Sequence, residues 1–498
     1  RGSIARQNGP ALASPDRMVD EPTNPSDVSS DDLSEHAGAA EPPAAPVGAD
    51  NAERAADPGG GRTLQRAAAK GALWVFGAFA VGQVVRLGSS LVLSRLLFPE
   101  AFGIMRVLMV VVGIVAMLSD AGLRGSIIAH KRGDEPEFYN TAWTLQCLRG
   151  LAVAAVVSAL AAPLANYYEL PELSFLLPAV GLSLAFRGLQ STAVFTLSRR
   201  VNPKPGAVLD LAVRVGSVVI MVALALVWKS VWVLALGMIL SNVGSGLATH
   251  FLIKGYRNRW RWDKEAVRAQ LRFGKWVFFS SALAALLGQG GSAVVAKLLS
   301  DNMLGVYSIA LLLSEAVTQG MQTVSTKVLQ PLYAKFVSGN RKRLRGRMFK
   351  VRGALLALAL PPLWVLGIFG QEIVDMLFDE RYVQAGWMLR ILAAGSIGTL
   401  VIGTAEMLFV ASGDSKSHLV HKASGATLFV LCMVVGYSYG EFKGVLIGMS
   451  VGRILGYVPM AVLLQRRGAW LPKLDTIAFA ATGAVLALGY WLHPLEIL

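Results

Sequence analysis

From residue 71 onward the apolar residues fall in runs long enough to cross a bilayer as helices, with short polar turns between them. Thirteen such runs lie near 71–97, 101–124, 142–166, 174–198, 206–228, 231–253, 275–299, 303–329, 351–370, 385–411, 418–439, 442–464 and 475–492. The pattern predicts an all-α polytopic membrane protein. Several runs contain a charge, which blurs their edges but not their existence.

The runs repeat. The stretch from Lys70 to Val107 has a degenerate second copy 202 residues later, which sets Trp74, Val75 and Phe76 over Trp276, Val277 and Phe278, and Gly103 over Gly305. Arg95 falls on Lys297 and keeps its charge. Each copy is a helical hairpin, turning at Phe98–Glu100 or at Ser300–Asn302. Six spans separate the copies, so both run the same way across the membrane, as two parallel six-helix lobes around an axis along the membrane normal. The expected organisation is a lobe over 70–254, a basic linker over 255–274, a second lobe over 275–466 and an extra transmembrane helix within 467–498. Glycines at 440, 444, 448, 452 and 456 in span 12, answered by Gly237, Ser241 and Ser245 in span 6, leave a bare helix face, read as ordinary helix packing.

Composition agrees with solvation by lipid: 54% of residues are apolar and 16% charged, against about 45–50% and 25% in an ordinary soluble chain. Six loops on one side of the membrane carry 26 Lys and Arg, whereas the opposite loops offer Lys229, Lys297, Arg381 and Lys443 beside acidic stretches near 169–172 and 375–380. The contrast places the basic loops and the N-terminus in the cytoplasm. It also accounts for the net charge of +15 without a nucleic-acid partner. Cys147 and Cys432 sit in separate apolar runs and predict neither a disulfide framework nor a zinc site. Residues 1–69, with eleven carboxylates between Asp16 and Asp57 and few large apolar side chains, predict a disordered cytoplasmic tail without the apolar core of a signal peptide. Arg1 stands where a methionine is expected, so the sequence reads as a fragment or as one whose start is Met18.

The chain carries no Walker-type phosphate loop, no HExxH and no GxSxG, and its longest outward loop, near 371–384, is too short to be a catalytic domain. The expectation is a secondary transporter rather than an enzyme, with no cofactor and no metal. Charges near the membrane midplane are costly and usually face a bundle interior or a wet cavity. The deepest are Arg86 in span 1, Arg187 in span 4, Glu315 in span 8 and Arg453 in span 12; Arg106, Asp120, Arg149, Asp210, Arg214, Arg390 and Glu406 lie nearer the interfaces. A lining so rich in arginine suits an anion, and the planar guanidinium suits phosphate. Arg86, Arg187 and Arg453, with Gln83, Asn242 and Gln289, are therefore candidate substrate contacts, and Glu315 and Asp120 are candidate ion-coupling carboxylates. Each has a structural alternative. Ion pairing competes for Arg86 and Arg187, Glu315 is placed to partner Arg453, and interhelical hydrogen bonds account equally for Gln83, Gln289, Gln319 and Asn242. Asp120 with Arg124, and Asp210 with Arg214, are spaced to pair along one helix face. Arg95 and Lys297 are placed to snorkel to the outer surface.

The run LSRLLFPEAFGIMRVLMVVVGIVAMLSDAGLRGSIIAHK, residues 93–131, resembles the first hairpin of the oligosaccharide flippases of polysaccharide biosynthesis. The features that carry the likeness are a small-Arg-Leu-Leu stretch, Pro-Glu-x-Phe-Gly at the outer turn, then Ser-Asp-x-Gly-Leu and a basic inner end. The likeness extends over spans 1 to 12, about residues 70–466. It implies a MATE-like fold shared with multidrug exporters and lipid II flippases, with two six-helix lobes facing a central cavity. It also implies a cargo: an oligosaccharide on a polyprenyl diphosphate, as in O-antigen and exopolysaccharide synthesis, turned from the cytoplasmic to the periplasmic leaflet of a bacterial inner membrane. A polysaccharide polymerase is implied as a partner. The alternatives are a MATE-like exporter of small cations, which would centre on acidic residues, and a membrane glycosyltransferase or polymerase, which would need a sizeable catalytic loop. Members often carry fourteen spans, so a thirteenth ending near Leu498 puts the C-terminus outside or marks a truncated chain.

Overall fold

The computed structural model describes residues 60–492 apart from 121, 200–203, 254–255, 331, 334–340 and 413. Of the disordered tail expected over 1–69, residues 1–59 lie outside the described residues, as do Arg200, Lys254 and Lys335 of the basic loops, whereas 60–69 are helical as the start of α1. The first half comprises α1 (Gly60–Leu96), α2 (Pro99–Leu118), α3 (Leu123–Ala129), α4 (Pro136–Ala159), α5 (Ala161–Tyr168), α6 (Leu173–Gly188), α7 (Ala193–Arg199), α8 (Lys204–Val227) and α9 (Val231–Ala248). The second comprises α10 (Lys264–Leu298), α11 (Asp301–Val324), α12 (Arg341–Ile368), α13 (Gly370–Leu377), α14 (Ala385–Ala411), α15 (Ser415–Leu455) and α16 (Tyr457–Arg466), followed by α17 (Pro472–Leu492). No strand occurs among the described residues.

All thirteen expected spans are helical, and the repeat holds to the residue. Helices α1 and α10 end at Leu96 and Leu298, and α2 and α11 begin at Pro99 and Asp301, each pair 202 apart. Proline suits the first position of α2, because that N–H would have no helical partner in any case. Ser300 caps α11 in the ordinary way, its hydroxyl accepting from the Met303 N–H at 3.4 Å.

Several spans are broken where a single helix was expected. Span 2 stops at Leu118; Asp120 then accepts the Gly122 N–H at 3.0 Å, and Gly122 turns the chain with φ 61° before α3. Asp120 and Arg124 therefore do not share a helix face. Asp210 and Arg214 do, 4.0 Å apart on α8. Spans 3, 4 and 12 are interrupted after Ala159, Gly188 and Leu455, and α15 holds spans 11 and 12 with the backbone leaving the helix at Gly440 and Glu441. Below that break Gly444, Gly448 and Gly452 lie directly on Gly436, Cys432 and Phe429 of the preceding span, so the glycine face closes a hairpin.

Helix α10 begins at Lys264, with the Asp263 carboxylate accepting from the Ala266 N–H at 2.6 Å, so the basic linker is helical from there on. The residues before it are not slack. The Arg259, Arg261 and Asp263 N–H groups donate to the side chains of Asn140, Thr144 and Thr141 on α4, at 3.0, 3.1 and 3.2 Å. Gln270, nearly two turns into α10, donates to the Phe138 carbonyl at 3.1 Å. The linker is thus a strap bound to the first half.

The apolar core is distributed unevenly across the membrane. On the side away from the basic loops, here the far face, one cluster runs through both halves, from Leu93 and Ile104 through Leu304 and Tyr307 to Tyr382 and Leu446. On the basic face the core divides: Ile127, Phe138 and Ala142 pack with Ala266, while Tyr333, Met348, Leu400 and Met460 belong to a separate cluster. The core joins the halves at the far face and is separate at the basic face, where the start of α10 packs onto the first half.

The thirteenth helix is an integral part of the second half. Asp475 on α17 accepts from Arg352 on α12 at 2.7 Å, with the two side chains 1% and 0% exposed. Arg352 also donates to Thr404 Oγ1 and the Val401 carbonyl on α14, and Asp475 accepts from the Tyr457 hydroxyl at 2.8 Å.

Candidate functional site: a far-face closure above an arginine cluster

Two sets of contacts join the halves. The first lies at the far face, around the two repeat-related turns. Gly103 on α2 faces the Asp301 carbonyl so closely that a Cβ would overlap it, and Gly305 on α11 faces the Pro99 carbonyl in the same way. Beside them Asn302 donates to the Glu100 carboxylate at 2.6 Å.

Arg95 and Lys297, the equivalent cations, do more than snorkel. Arg95 donates to the Leu377 carbonyl of the second half at 3.3 Å, and Lys297 donates to the Tyr167 carbonyl and the Glu169 carboxylate of the first half at 2.6 and 2.8 Å. Each reaches into the other half. Arg381 adds a third tie, donating to the Ser94 and Leu97 carbonyls at the end of α1 at 2.9 and 3.1 Å while paired with Asp379. The Lys297 hydrogen bond and charge hold the Glu169 carboxyl below the ordinary carboxylate range. The Arg381 hydrogen bond, with its charge, does the same for Asp379, against a smaller opposing effect of burial. Phe102 meets Tyr382 edge to face across the same seam, at 6.3 Å.

The second set lies beneath this closure. Arg106 sits one turn past Gly103 on α2, about 10 Å below the helix start at 1.5 Å per residue. It donates to the Ser292 hydroxyl of α10 at 2.7 Å, and its Nε is buried without a partner. Tyr307 on α11 is fully buried, and its hydroxyl has no hydrogen-bond partner among the described residues. The charged side chains acting on that hydroxyl are Arg106, Arg453 and Glu315. Glu315 accepts from Gln319 at 3.2 Å and is a charged neighbour of Arg86 on α1, whose Nε and Nη2 are also buried without partners. Arg214 of α8 approaches the same helix at Gly82 and acts on Arg86. Gln83 Nε2 is buried and unpaired, and Gln289 of α10 faces Gly113 of α2. The halves thus converge on four arginines, one glutamate and several unsatisfied polar atoms.

Of the residues singled out in the sequence, Arg86 and Glu315 are electrostatic neighbours, and Arg453 and Glu315 both act on Tyr307. Arg187 and Asn242 form a different group: Arg187 donates to Asn242 Oδ1 at 3.2 Å, and Asn242 donates to Ser183 at 2.9 Å, all within the first half. Asp120 and Arg187 are charged neighbours of Arg149, which donates to Ser119 and to the Ala116 carbonyl at the basic end of α2. Arg106 and Tyr307 were not singled out as contacts. Arg106 was measured as shallow from its helix end, and Tyr307 carries no charge; their place one turn or less beyond the repeat glycines was the available signal.

The sequence profile described as polysaccharide biosynthesis protein matches residues 92–386, more than half of the chain. The chain belongs to this polysaccharide biosynthesis protein family. Over 410 residues it is 25% identical to the lipopolysaccharide biosynthesis protein WzxC of Escherichia coli K12, covering 80% of each chain. Over 433 residues it is 25% identical to the succinoglycan biosynthesis transport protein ExoT of Rhizobium meliloti 1021, covering 79% of this chain and 86% of that one. Among solved structures, lipid II flippase MurJ in an inward closed conformation superimposes with a TM-score of 0.67 at 12% identity, covering 84% of this chain and 93% of the other. An inward-facing MATE multidrug transporter gives 0.60 at 13%, covering 83% and 96%. This family member therefore has the two-lobed fold of these transporters.

Proposed function

We propose that this family member is a flippase, which turns a polyprenyl-diphosphate-linked oligosaccharide from the cytoplasmic to the periplasmic leaflet of a bacterial inner membrane by alternating access of its two lobes. The observation that carries the reading is the convergence of Arg86, Arg106 and Arg453, from both halves, around Tyr307 and Glu315. A diphosphate is matched by guanidinium groups, and the unpaired polar atoms nearby suit sugar hydroxyls. Moving an unpaired hydroxyl into hydrocarbon costs about 4–8 kcal/mol, so a head group of several sugars needs such a polar path. In this reading the basic face is cytoplasmic, and the far-face closure is the periplasmic gate of a state loaded from the cytoplasm. An inside-negative potential favours the exit of an anion by about 2.3 kcal/mol per charge per 100 mV. No bond is made or broken in the cargo, so the reading is of a transporter and not of an enzyme. A polysaccharide polymerase would take the cargo after release.

The test is translocation of a fluorescent polyprenyl-diphosphate oligosaccharide in proteoliposomes, with a cationic dye as control cargo. Wild-type flipping that Arg86→Ala and Arg106→Ala abolish, without dye movement, is the expected result. Dye transport without lipid flipping would replace this reading by that of a small-cation exporter.

A further inference from the structure

The first two turns of α10 have two unlike faces. Ala266 and Gln270 are fully buried against the first half, where Ala266 meets Ile127, Phe138 and Ala142. On the opposite side Lys264, Arg268 and Arg272 follow one another at one-turn spacing, with Trp262 and Leu271 beside them. These five and Val267 line a hollow of about 560 Å³. Trp262 and Leu271 are 56% and 54% exposed, and none of the three cations has an ion-pair partner among the described residues.

The described residues offer little to cover this face. Acids described on the basic side are already engaged: Glu135 and Glu265 with Arg132, Glu137 with Arg261, and Asp414 with Arg467. The other strongly basic stretch of that side, 335–352, which includes the start of α12, contains eight Lys and Arg and no acid, so it would repel the stripe rather than cap it. The occupant must bring negative charge; residues 1–59 carry eleven carboxylates but few large apolar side chains. It must also present apolar surface, because Trp262 and Leu271 flank the cations where α10 enters the spanning region, and tryptophan favours the head-group level of a bilayer.

We propose that the Lys264–Arg268–Arg272 face, with Trp262 and Leu271, is a docking site for the phosphate head group of an anionic phospholipid in the leaflet at the basic face. The strap that precedes the stripe is bound to α4, so a lipid held here lies on the side of α10 turned away from the first half. The proposal rests on the transporter reading only for the identity of that leaflet, and lipid retention is read without transport, so either can fail alone.

The test is native mass spectrometry of the full chain released from micelles supplied with equal phosphatidylglycerol and phosphatidylcholine. Wild type is expected to retain phosphatidylglycerol preferentially. Lys264→Gln/Arg268→Gln/Arg272→Gln is expected to lose that retention at least fivefold, whereas Arg466→Gln/Lys473→Gln, which removes two other cations of the same face, is expected to keep it. Equal loss in both variants would mean diffuse attraction to a basic surface and would overturn the site, as would no loss in the first. If the triple variant does not fold, Arg268→Gln alone is read in the same way. Displacement of the bound phosphatidylglycerol by stoichiometric undecaprenyl diphosphate would assign the stripe to the cargo path instead, and would also overturn the proposal.

Discussion

Gly103 and Gly305, 202 residues apart, each lie against the carbonyl that opens the other's helix, Gly103 on Asp301 and Gly305 on Pro99. The contact is reciprocal, as in an interface between two copies related by a twofold axis. Each glycine admits a backbone where any side chain would collide. Replacing either by leucine should prevent the far face from closing. Overpacking of this kind costs about 1–3 kcal/mol, so the ratio of closed to open forms should fall roughly 5- to 150-fold. Spin-label distances between the starts of α2 and α11 should lengthen in Gly103→Leu and in Gly305→Leu alike.

The carboxylates of the same closure make it sensitive to acid. Glu169 and Asp379 are held below the ordinary carboxylate range by Lys297 and Arg381, so their contribution is present at neutral pH and is lost as pH falls through those depressed values, below about pH 4. A cysteine placed at Phe98 should therefore label faster in acid than at pH 7. In Lys297→Met the Glu169 component of that response should vanish, with labelling already raised at neutral pH.

Tyr307 offers a hydroxyl with no hydrogen-bond partner among the described residues beside the central arginines. Tyr307→Phe keeps the ring and removes only that group. Melting temperature should hold, while affinity for the diphosphate-linked cargo should fall by a neutral hydrogen bond, about 0.5–1.5 kcal/mol or roughly 2- to 12-fold. Arg106→Ala should cost more, about 1.5–3 kcal/mol, because the bond proposed for it to phosphate would be charge-assisted.

Removing one member of the pair Arg352–Asp475 leaves a buried charge without its partner. Asp475→Leu should destabilise by about 3–5 kcal/mol, and Arg352→Met with Asp475→Leu should recover most of that loss. Thermal unfolding of the purified protein measures both.

The fold was legible because its signals are local or periodic: apolar runs of spanning length, and a hairpin that returns after 202 residues. The deep arginines were legible too, since a charge within a span is conspicuous. Contacts made across the sequence were not. Asp475 looks like an interfacial acid at a helix start until Arg352, 123 residues away, is placed beside it. Arg187 and Asn242 stood open between cargo contact and structural bonding, and they are bonded to one another. Arg106 looked shallow because depth was counted from a helix end, whereas the closed far face places it beneath the seam. Asp120 was assigned to a helix that ends before it, because nothing in an apolar run announces a turn through Gly122.

The strap onto α4 leaves the two halves without a loose tether. Movement of one half against the other must then be taken up inside α10, a continuous helix that is anchored to the first half at its start and packs against both α2 and α15 further along. Its last third carries Gly290, with open space where a side chain would stand, and Gly291, which faces the Phe429 ring. Bending at Gly290 would convert rigid rotation of a lobe into curvature of one rod, so that the stiffness of a single α-helix sets the resistance to each turnover.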